Sequence, residues 1–150
     1  MAGKNHVERS FLILVDDSGT TARDITGDLI PGSLTGGGLT LDQVDMTGVS
    51  ETVRNYLAGH AEAQISGQVH MNDAATTGAH TVLSGIDGGA AGTVTLQWGQ
   101  NGAAPTGSDP EWEGEYVLTT YGPMTFTGGR AVMPFTFAPG TSTAPAWGTV

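Results

Sequence analysis

Alternation of apolar and polar residues is the feature that most constrains the fold of this chain. Between residues 61 and 71, small or apolar side chains alternate with polar, nearly uncharged ones. A period of two places successive side chains on opposite faces of a β-strand. The run therefore predicts a strand with one face in a core and the other in water.

Similar runs predict strands along most of the chain. Residues 11–15 are apolar and end in a turn, residues 93–98 alternate, and two C-terminal runs, 114–121 and 130–137, form a hairpin. Residues 39–46 predict a strand with one buried side, made of Leu39, Leu41, Val44 and Met46. Residues 50–58 start like a short helix that breaks at Gly59, but are as consistent with an irregular loop.

One helix interrupts the series, predicted at Thr77–Ser84 with Gly85 near its end. Its apolar residues follow the spacing of a single helical face: Ala79, Val82, Leu83 and Ile86. Many strands with one helix indicate a mostly β fold, a β-sandwich or barrel-like domain with one flanking short α-helix.

The length of 150 residues is that of a single domain. We expect the folded part at residues 10–138, an N-terminal arm at residues 1–9 and a flexible C-terminal arm at residues 139–150. Trp147 is unusual in such an arm, where it would either anchor the arm to a partner or fold back on its own domain.

The charge of the chain limits its partners. Its net charge is −10, and lysine and arginine together number only five. Binding of nucleic acid through phosphates requires a basic surface, so the charge argues against this function, whereas it permits a surface that repels DNA. The chain has no cysteine for disulfides, and no apolar run is long enough for a membrane span or a signal peptide. We expect an intracellular protein, or one released by a route other than secretion.

Candidate catalytic and metal-binding residues are few. His60, His70 and His80 recur at ten-residue spacing, which does not bring metal ligands together on one element. The densest carboxylates could form a hydrolytic pair, but a solvated acidic rim is the simpler interpretation; they are Asp109, Glu111, Glu113 and Glu115. We expect no enzyme activity, no metal and no cofactor.

Three stretches in sequence order resemble the tail tube (major tail) proteins of long-tailed bacteriophages. In residues 39–71 a strand is followed by a segment that resembles a crossover loop of the type T-x-x-x-R-x-Y/F-x-x-G. Arg54, Tyr56 and Gly59 take its places, and Thr52 lies two residues before the arginine instead of four. Residues 80–99 resemble the family's flanking helix and strand. Residues 110–141 resemble its final hairpin.

The resemblance implies a structural virion protein, assembled in the host cytoplasm, whose hexameric rings stack into the tail tube. A long crossover loop and extended terminal arms would contact neighbouring subunits and rings. Its partners would be other copies of the chain, the tape-measure protein, the tail terminator and the distal tail proteins. Genomic DNA would pass through the lumen without specific binding, and no membrane would be involved.

The resemblance also implies roles for individual residues. The loop residues Thr52, Arg54, Tyr56 and Gly59 would contact a neighbouring subunit, and Trp147 would anchor an arm between rings. The polar face of the strand at 61–71 would line the lumen through Glu62, Gln64, Gln68 and His70.

Two alternatives stay open from the sequence. One is another ring-forming tube or baseplate hub protein, from a contractile tail or a secretion system. The other is a carbohydrate-binding or hydrolytic β-sandwich that would use Trp98 and Trp112 with Glu111 and Glu113.

Overall fold

An antiparallel sheet forms the body of the protein. The structure is a computed structural model that describes residues 10–100 and 102–150, so the predicted arm at residues 1–9 lies outside the described residues. The strands of these residues are β1 (Phe11–Asp16), β2 (Ala22–Asp24), β3 (Thr40–Asp45), β4 (Tyr56–Glu62), β5 (Ile65–His70), β6 (Gly92–Trp98), β7 (Pro110–Tyr121), β8 (Thr125–Thr127), β9 (Arg130–Pro139) and β10 (Ala146–Thr149). The body sheet runs in the order β2-β1-β6-β7-β9-β5, with β8 paired to β9 and β10 to β7. The fold is mostly β, as the sequence predicted.

The segment between β2 and β3 connects the two sides of this sheet. The Ile25 amide donates to the Ile13 carbonyl of β1, and the amides of Ile30 and Thr35 donate to Gln68 and Ser66 of β5. A 3₁₀ turn at Thr26–Asp28 lies between these contacts. The outer edge of β5 is therefore covered, which protects backbone groups that an exposed edge strand leaves free.

Alternation on the body strands builds the core. Buried side chains from β1, β5, β6, β7 and β9 meet at its centre, among them Ile13, Ile65, Leu96, Leu118 and Phe137. Each buried side chain of this size contributes roughly 1.5–3 kcal/mol. The apolar face predicted for residues 65–69 is buried, whereas Gln68 on the opposite face is exposed.

The helix α1 (Ala79–Ile86) packs on the flank through Ala79, Val82 and Leu83, the apolar face predicted for it. It begins two residues later than predicted, because residues 72–78 form a turn in which the Gly78 amide donates to the Ala74 carbonyl. Gly78 has no side chain to cap the helix. The Asp28 carboxylate takes that role from a distant segment, accepting from the Ala79 amide at 2.9 Å.

Other sequence predictions differ from the structure as well. The strand predicted at 61–71 is two strands in different sheets, since β4 ends at Glu62 and β5 begins at Ile65. Tyr56 and Gly59 lie in β4 rather than in a loop or helix, because their neighbours pair with β3. The C-terminal segment predicted as flexible contains β10, which pairs with the start of β7. The predicted burial of one face of β3 is also wrong, because every residue of β3 is exposed.

Candidate assembly surfaces

Strands β3 and β4 form a two-stranded sheet of their own, joined by residues 46–55. We call residues 40–62 the arm; it is distinct from the terminal arms predicted at residues 1–9 and 139–150. Every residue of both strands is exposed, although an isolated two-stranded hairpin is at best marginally stable in water. Large apolar side chains are exposed along it, namely Leu41, Val44, Met46, Val49, Val53, Tyr56 and Leu57. Such a surface is typical of an element that another molecule covers.

Both faces of the arm carry apolar side chains. Val44 lies opposite Leu57, and Tyr56 lies opposite Asp45, which is on the other face. Leu41 shares the face of Asp45, since these residues are four positions apart in one strand. The prediction that Val44 continues the face of Leu41 is therefore wrong, and a neighbour that covers only one face would leave apolar side chains in water.

The tip of the arm is ordered by its own polar groups. The Thr47 hydroxyl and amide both donate to the Asp45 carboxylate, and these hydrogen bonds lower the pKa of Asp45. The Asn55 amide donates to the Thr47 hydroxyl at 2.9 Å, and the Gly48 amide donates to the Glu51 carboxylate at 3.1 Å. These hydrogen bonds within the tip hold Val49 and Val53 in a loop of defined conformation.

The four predicted loop residues all lie on the arm. Thr52 and Arg54 lie in its tip, where the Arg54 guanidinium donates a long 3.4 Å hydrogen bond to the Tyr56 hydroxyl. Gly59 lies opposite Asp42, where the pairing of β3 with β4 shifts by one residue. A Cβ at Gly59 would lie 3.0 Å from the Asp42 Cβ, so this glycine accommodates a β-bulge rather than ending a helix.

The four residues predicted to line the lumen do not lie on one strand. Glu62 ends β4, Gln64 lies in the link between the sheets, and Gln68 and His70 lie on β5. Glu62, Gln64 and Gln68 are exposed and His70 is half-buried. The break at residues 63–64 therefore divides the predicted row of lumen residues, with Glu62 on the arm and Gln68 and His70 on the body.

Three glutamates form a second polar row on the outer face of the body sheet. Glu111, Glu113 and Glu115 alternate along β7, and each accepts a hydrogen bond from a β6 side chain, namely Gln97, Thr95 and Thr93. Trp112 lies between them with its ring buried on the opposite face, where its indole N–H donates to the Tyr116 hydroxyl. Trp112 and the two glutamates of the carbohydrate-binding alternative, Glu111 and Glu113, are thus on opposite faces of β7.

Trp147 packs against the body through two other tryptophans. Its ring centroid lies 5.2 Å from that of Trp98 and 5.1 Å from that of Trp112. The side chain nevertheless stays 57% exposed. Of the two possibilities left by the sequence, folding back is therefore the one observed, and the exposed part of the ring stays accessible.

The described residues contain no group of three or more His, Cys, Asp or Glu placed to hold a metal ion. His60, His70 and His80 lie on the arm, β5 and α1. His80 contacts the Tyr121 hydroxyl through its Nδ1 at 2.8 Å, and burial followed by the charge of Asp87 raises the pKa of Tyr121 to about 12. Among the described helices, none has the length and apolar character needed to cross a membrane.

The turn between β8 and β9 is a possible binding element that the sequence pattern does not indicate. Phe126 on β8 is 76% exposed, and Arg130 opens β9 across the turn. The sequence signal that could have indicated this element is a phenylalanine, Phe126, just before the Gly128-Gly129 turn.

Solved structures provide the comparison. The chain is similar to one from the tail of an empty gene transfer agent particle with C6 symmetry, at 19% identity, a TM-score of 0.65 and 99% coverage of each chain. A sheath–tube complex of an extracellular contractile injection system matches at 14% identity and a TM-score of 0.65, over 100% of this chain and 95% of the other. The sheath/tube terminator of such a system matches at 13% and 0.62, over 93% and 94%.

The chain shares the fold of these tail and injection-system components. No protein-family model matches the sequence, and no curated protein matches it. Each similarity covers nearly the whole of both chains, so it concerns the fold of the chain as a whole.

Proposed function

We propose that this chain is the structural subunit of a phage-like tail tube, in which rings of six copies stack around a tape-measure protein and DNA passes through the lumen. Such a tube would be part of a virion, assembled in the host cytoplasm and closed by tail terminator and distal tail proteins. The observation that carries the proposal is the arm, a solvent-exposed apolar hairpin on a fold shared with tail components.

The arm supports self-assembly through its exposed apolar surface. Burial of apolar area contributes about 25 cal/mol per Å², and interfaces place apolar and aromatic residues at their centres. Leu57, Val53 and Val49 would lie in such a centre, with Thr52, Arg54, Tyr56 and Gly59 at or beside it. The C6 symmetry of one similar particle supports a ring of six.

The body sheet supports the role of a lumen wall. Strands β1, β5, β6 and β7 carry no lysine or arginine, and the outer face of β7 carries three glutamates. DNA, which is polyanionic, would meet few groups able to bind its phosphates on such a surface. We propose that Gln68 and His70 line the lumen with this face, and that Glu62 and Gln64 lie at its rim.

Trp147 would contribute to contacts between rings. Its strand β10 is a short edge strand, and more than half of the side chain is exposed beside Trp98. Partly exposed aromatic residues are frequent anchors of interfaces. The exposed part of the indole would contact an adjacent copy while the buried part holds β10 on the body.

Negative-stain electron microscopy and sedimentation of the purified full-length chain test this proposal. The unmodified chain should form rings or tubes above a critical concentration. Leu57→Asp should stay monomeric, because a charge would be buried without a partner. Leu57→Met keeps the apolar contact at the same position and should assemble like the unmodified chain.

Two results would contradict the proposed function. One is an unmodified chain that stays monomeric at all concentrations. The other is a Leu57→Asp chain that assembles as readily as Leu57→Met, since the arm would then have no part in the contact. Circular dichroism of each variant separates loss of assembly from loss of folding.

A terminator that closes the tube is the second candidate function. The similarity to a sheath/tube terminator over 93% of this chain favours it. A terminator would form isolated rings that do not stack, so the same micrographs distinguish it from a tube subunit.

A further inference from the structure

The turn between β8 and β9 carries a second exposed apolar patch, separate from the arm. Phe126 pairs with Ala131 of β9, and the Met71 amide donates to the Ala131 carbonyl from the other side. Phe126, Ala131 and Met71 therefore form one cross-strand row. We call Phe126, Met71 and Met124, which are all exposed, the turn patch.

The turn patch continues the core face of β9 beyond the end of the core. Ala131 has the same strand parity as Phe135 and Phe137, which are fully buried further along β9. The apolar face thus does not end where the core ends, and about three-quarters of the Phe126 side chain remains in water. A surface phenylalanine with two methionines beside it is typical of a docking element.

Charge indicates what covers this patch. In the described part of the chain, Arg23 is held by Asp17 at 2.7 Å, whereas Arg54 and Arg130 form no ion pair there. Both of these arginines lie at the ends of exposed hairpins, beside Val53 and near Phe126. The chain as a whole has a net charge of −10, so the surface that complements an apolar tip with one positive charge is the acidic surface of another copy.

The position of the patch fits a repeating assembly. The arm joins the body next to Ile65, at one end of β5, whereas His70 at the other end pairs with Val132, next to the β8–β9 turn. The arm root and the turn patch therefore lie at opposite ends of the β5–β9 pair, roughly 17 Å of strand apart. Different contact surfaces at opposite ends give head-to-tail contacts, which form rings or filaments rather than closed two-fold dimers.

We propose that the β8–β9 turn, through Phe126 and Arg130, is a second self-assembly contact that binds the acidic surface of a second copy of this chain. The proposal rests on the proposed function, since it needs copies that assemble. It assigns the arm to one neighbour and the turn to a different one. Phe126 supplies the apolar contact and Arg130 supplies the salt-dependent one.

Phe126→Ser and Arg130→Glu in the full-length chain test this proposal, with Phe126→Leu and Arg130→Lys as matched controls. We expect Phe126→Ser to raise the critical concentration for assembly roughly tenfold or more, as removal of an interface anchor does. Arg130→Glu should raise it by a similar factor at low salt and by less at high salt. Both controls should assemble close to the unmodified chain.

The outcomes separate this proposal from the proposed function. If Phe126→Ser and Arg130→Glu assemble like their controls while Leu57→Asp does not, self-assembly by the arm stands and the turn contact is refuted. The turn would then serve a different protein or none. If the unmodified chain never assembles, both proposals fail together. All three tryptophans pack near the start of β7, away from Phe126, so unchanged tryptophan fluorescence verifies that a variant has folded.

Discussion

Asp28 is one residue on which several parts of the fold depend. Its carboxylate accepts from the Ala79 amide at the start of α1 and from the Asn72 side chain, at 2.9–3.0 Å. Asp28 lies in the segment between β2 and β3, and its hydrogen bonds connect this segment with the helix on the flank. A carboxylate at a helix N-terminus also interacts favourably with the helix dipole.

We predict that Asp28→Ala lowers the free energy of unfolding by about 1–2 kcal/mol, because it removes the helix cap and leaves the Asn72 amide without its acceptor. Urea unfolding followed by tryptophan fluorescence measures this loss. Asp73→Ala is the matched control, because Asp73 is an exposed carboxylate next to Asn72, whereas the Ala79 amide donates to Asp28. Equal unfolding midpoints for the two variants would contradict the role of Asp28.

Tyr121 gives the protein a specific response to alkaline pH. Burial, and then the nearby charge of Asp87, raise its pKa from 10.0 to about 12. The folded state therefore holds the phenol proton more tightly than the unfolded chain. The resulting stability is complete below pH 10 and is lost as the pH rises towards 12.

We predict that the unfolding free energy of the unmodified chain falls between about pH 10 and 12. Tyr121→Phe should fall less steeply over the same range, because it has no phenol to ionise there. Ultraviolet titration should also lose the phenolate signal that appears near pH 12. If the titration of Tyr121→Phe were identical to that of the unmodified chain, the signal near pH 12 would not come from Tyr121.

Strand β10 depends on a close approach of the Pro145 ring, just before the strand, to Gly114 of β7. A Cβ at Gly114 of β7 would lie 2.6 Å from the Pro145 Cβ, a distance that real Cβ atoms do not adopt. We predict that Gly114→Ala displaces β10 and destabilises the protein by about 1–3 kcal/mol, as overpacking does. Trp147 would then separate from Trp98 and Trp112, changing the tryptophan fluorescence and near-ultraviolet circular dichroism.

Gly148→Ala is the control for this element, since a Cβ at Gly148 meets no atom within 4 Å. It lies on the same strand and should keep both the spectra and the stability. If Gly114→Ala leaves the tryptophan spectra unchanged, the packing of Pro145 over Gly114 does not hold β10 in place.

At the scale of elements, periodicity predicted what the chain buries within itself. The alternation of Ile65 and Val69 and the helical spacing of Ala79, Val82 and Leu83 were sufficient, because these side chains meet partners in one core. Alternation could not predict that β3 and β4 leave the body, since an exposed apolar strand and a buried one have similar sequences. It could not predict the pairing of β10 either, because four residues have too short a pattern.

The candidate site was less predictable for the same reason. The sequence placed Thr52 and Arg54 in an exposed loop, but the burial expected for Val44 and Met46 assumed a partner inside the chain. Phe126 gave no periodic signal at all, because it lies on a three-residue strand. A strand whose apolar side chains are covered by another molecule has the same sequence pattern as a core strand, but its packing partners are not in the same chain.

The whole molecule repels its copies, because its net charge is −10 and its sequence pI is about 4.4. Apolar contacts must therefore overcome repulsion among acidic surfaces in any assembly. We predict that added salt lowers the critical concentration for assembly, since it screens this repulsion and leaves apolar contacts in place. Sedimentation over a range of sodium chloride concentrations measures the effect in the unmodified chain.

The opposite trend would contradict this account of assembly. If salt dissolves the assemblies, ion pairs between copies rather than apolar contacts hold them together. Arg130→Glu assemblies should respond differently from those of Arg130→Lys, because only the lysine keeps the positive charge of the turn.

A cryo-electron microscopy reconstruction of the assembly formed by the purified chain would show directly whether neighbouring copies cover the arm. We predict a tube of stacked six-fold rings in which neighbouring copies cover the arm, so that Leu41, Val44 and Leu57 are buried on both of its faces. An assembly in which residues 40–62 project into solvent, or a chain that remains a monomer, would contradict it.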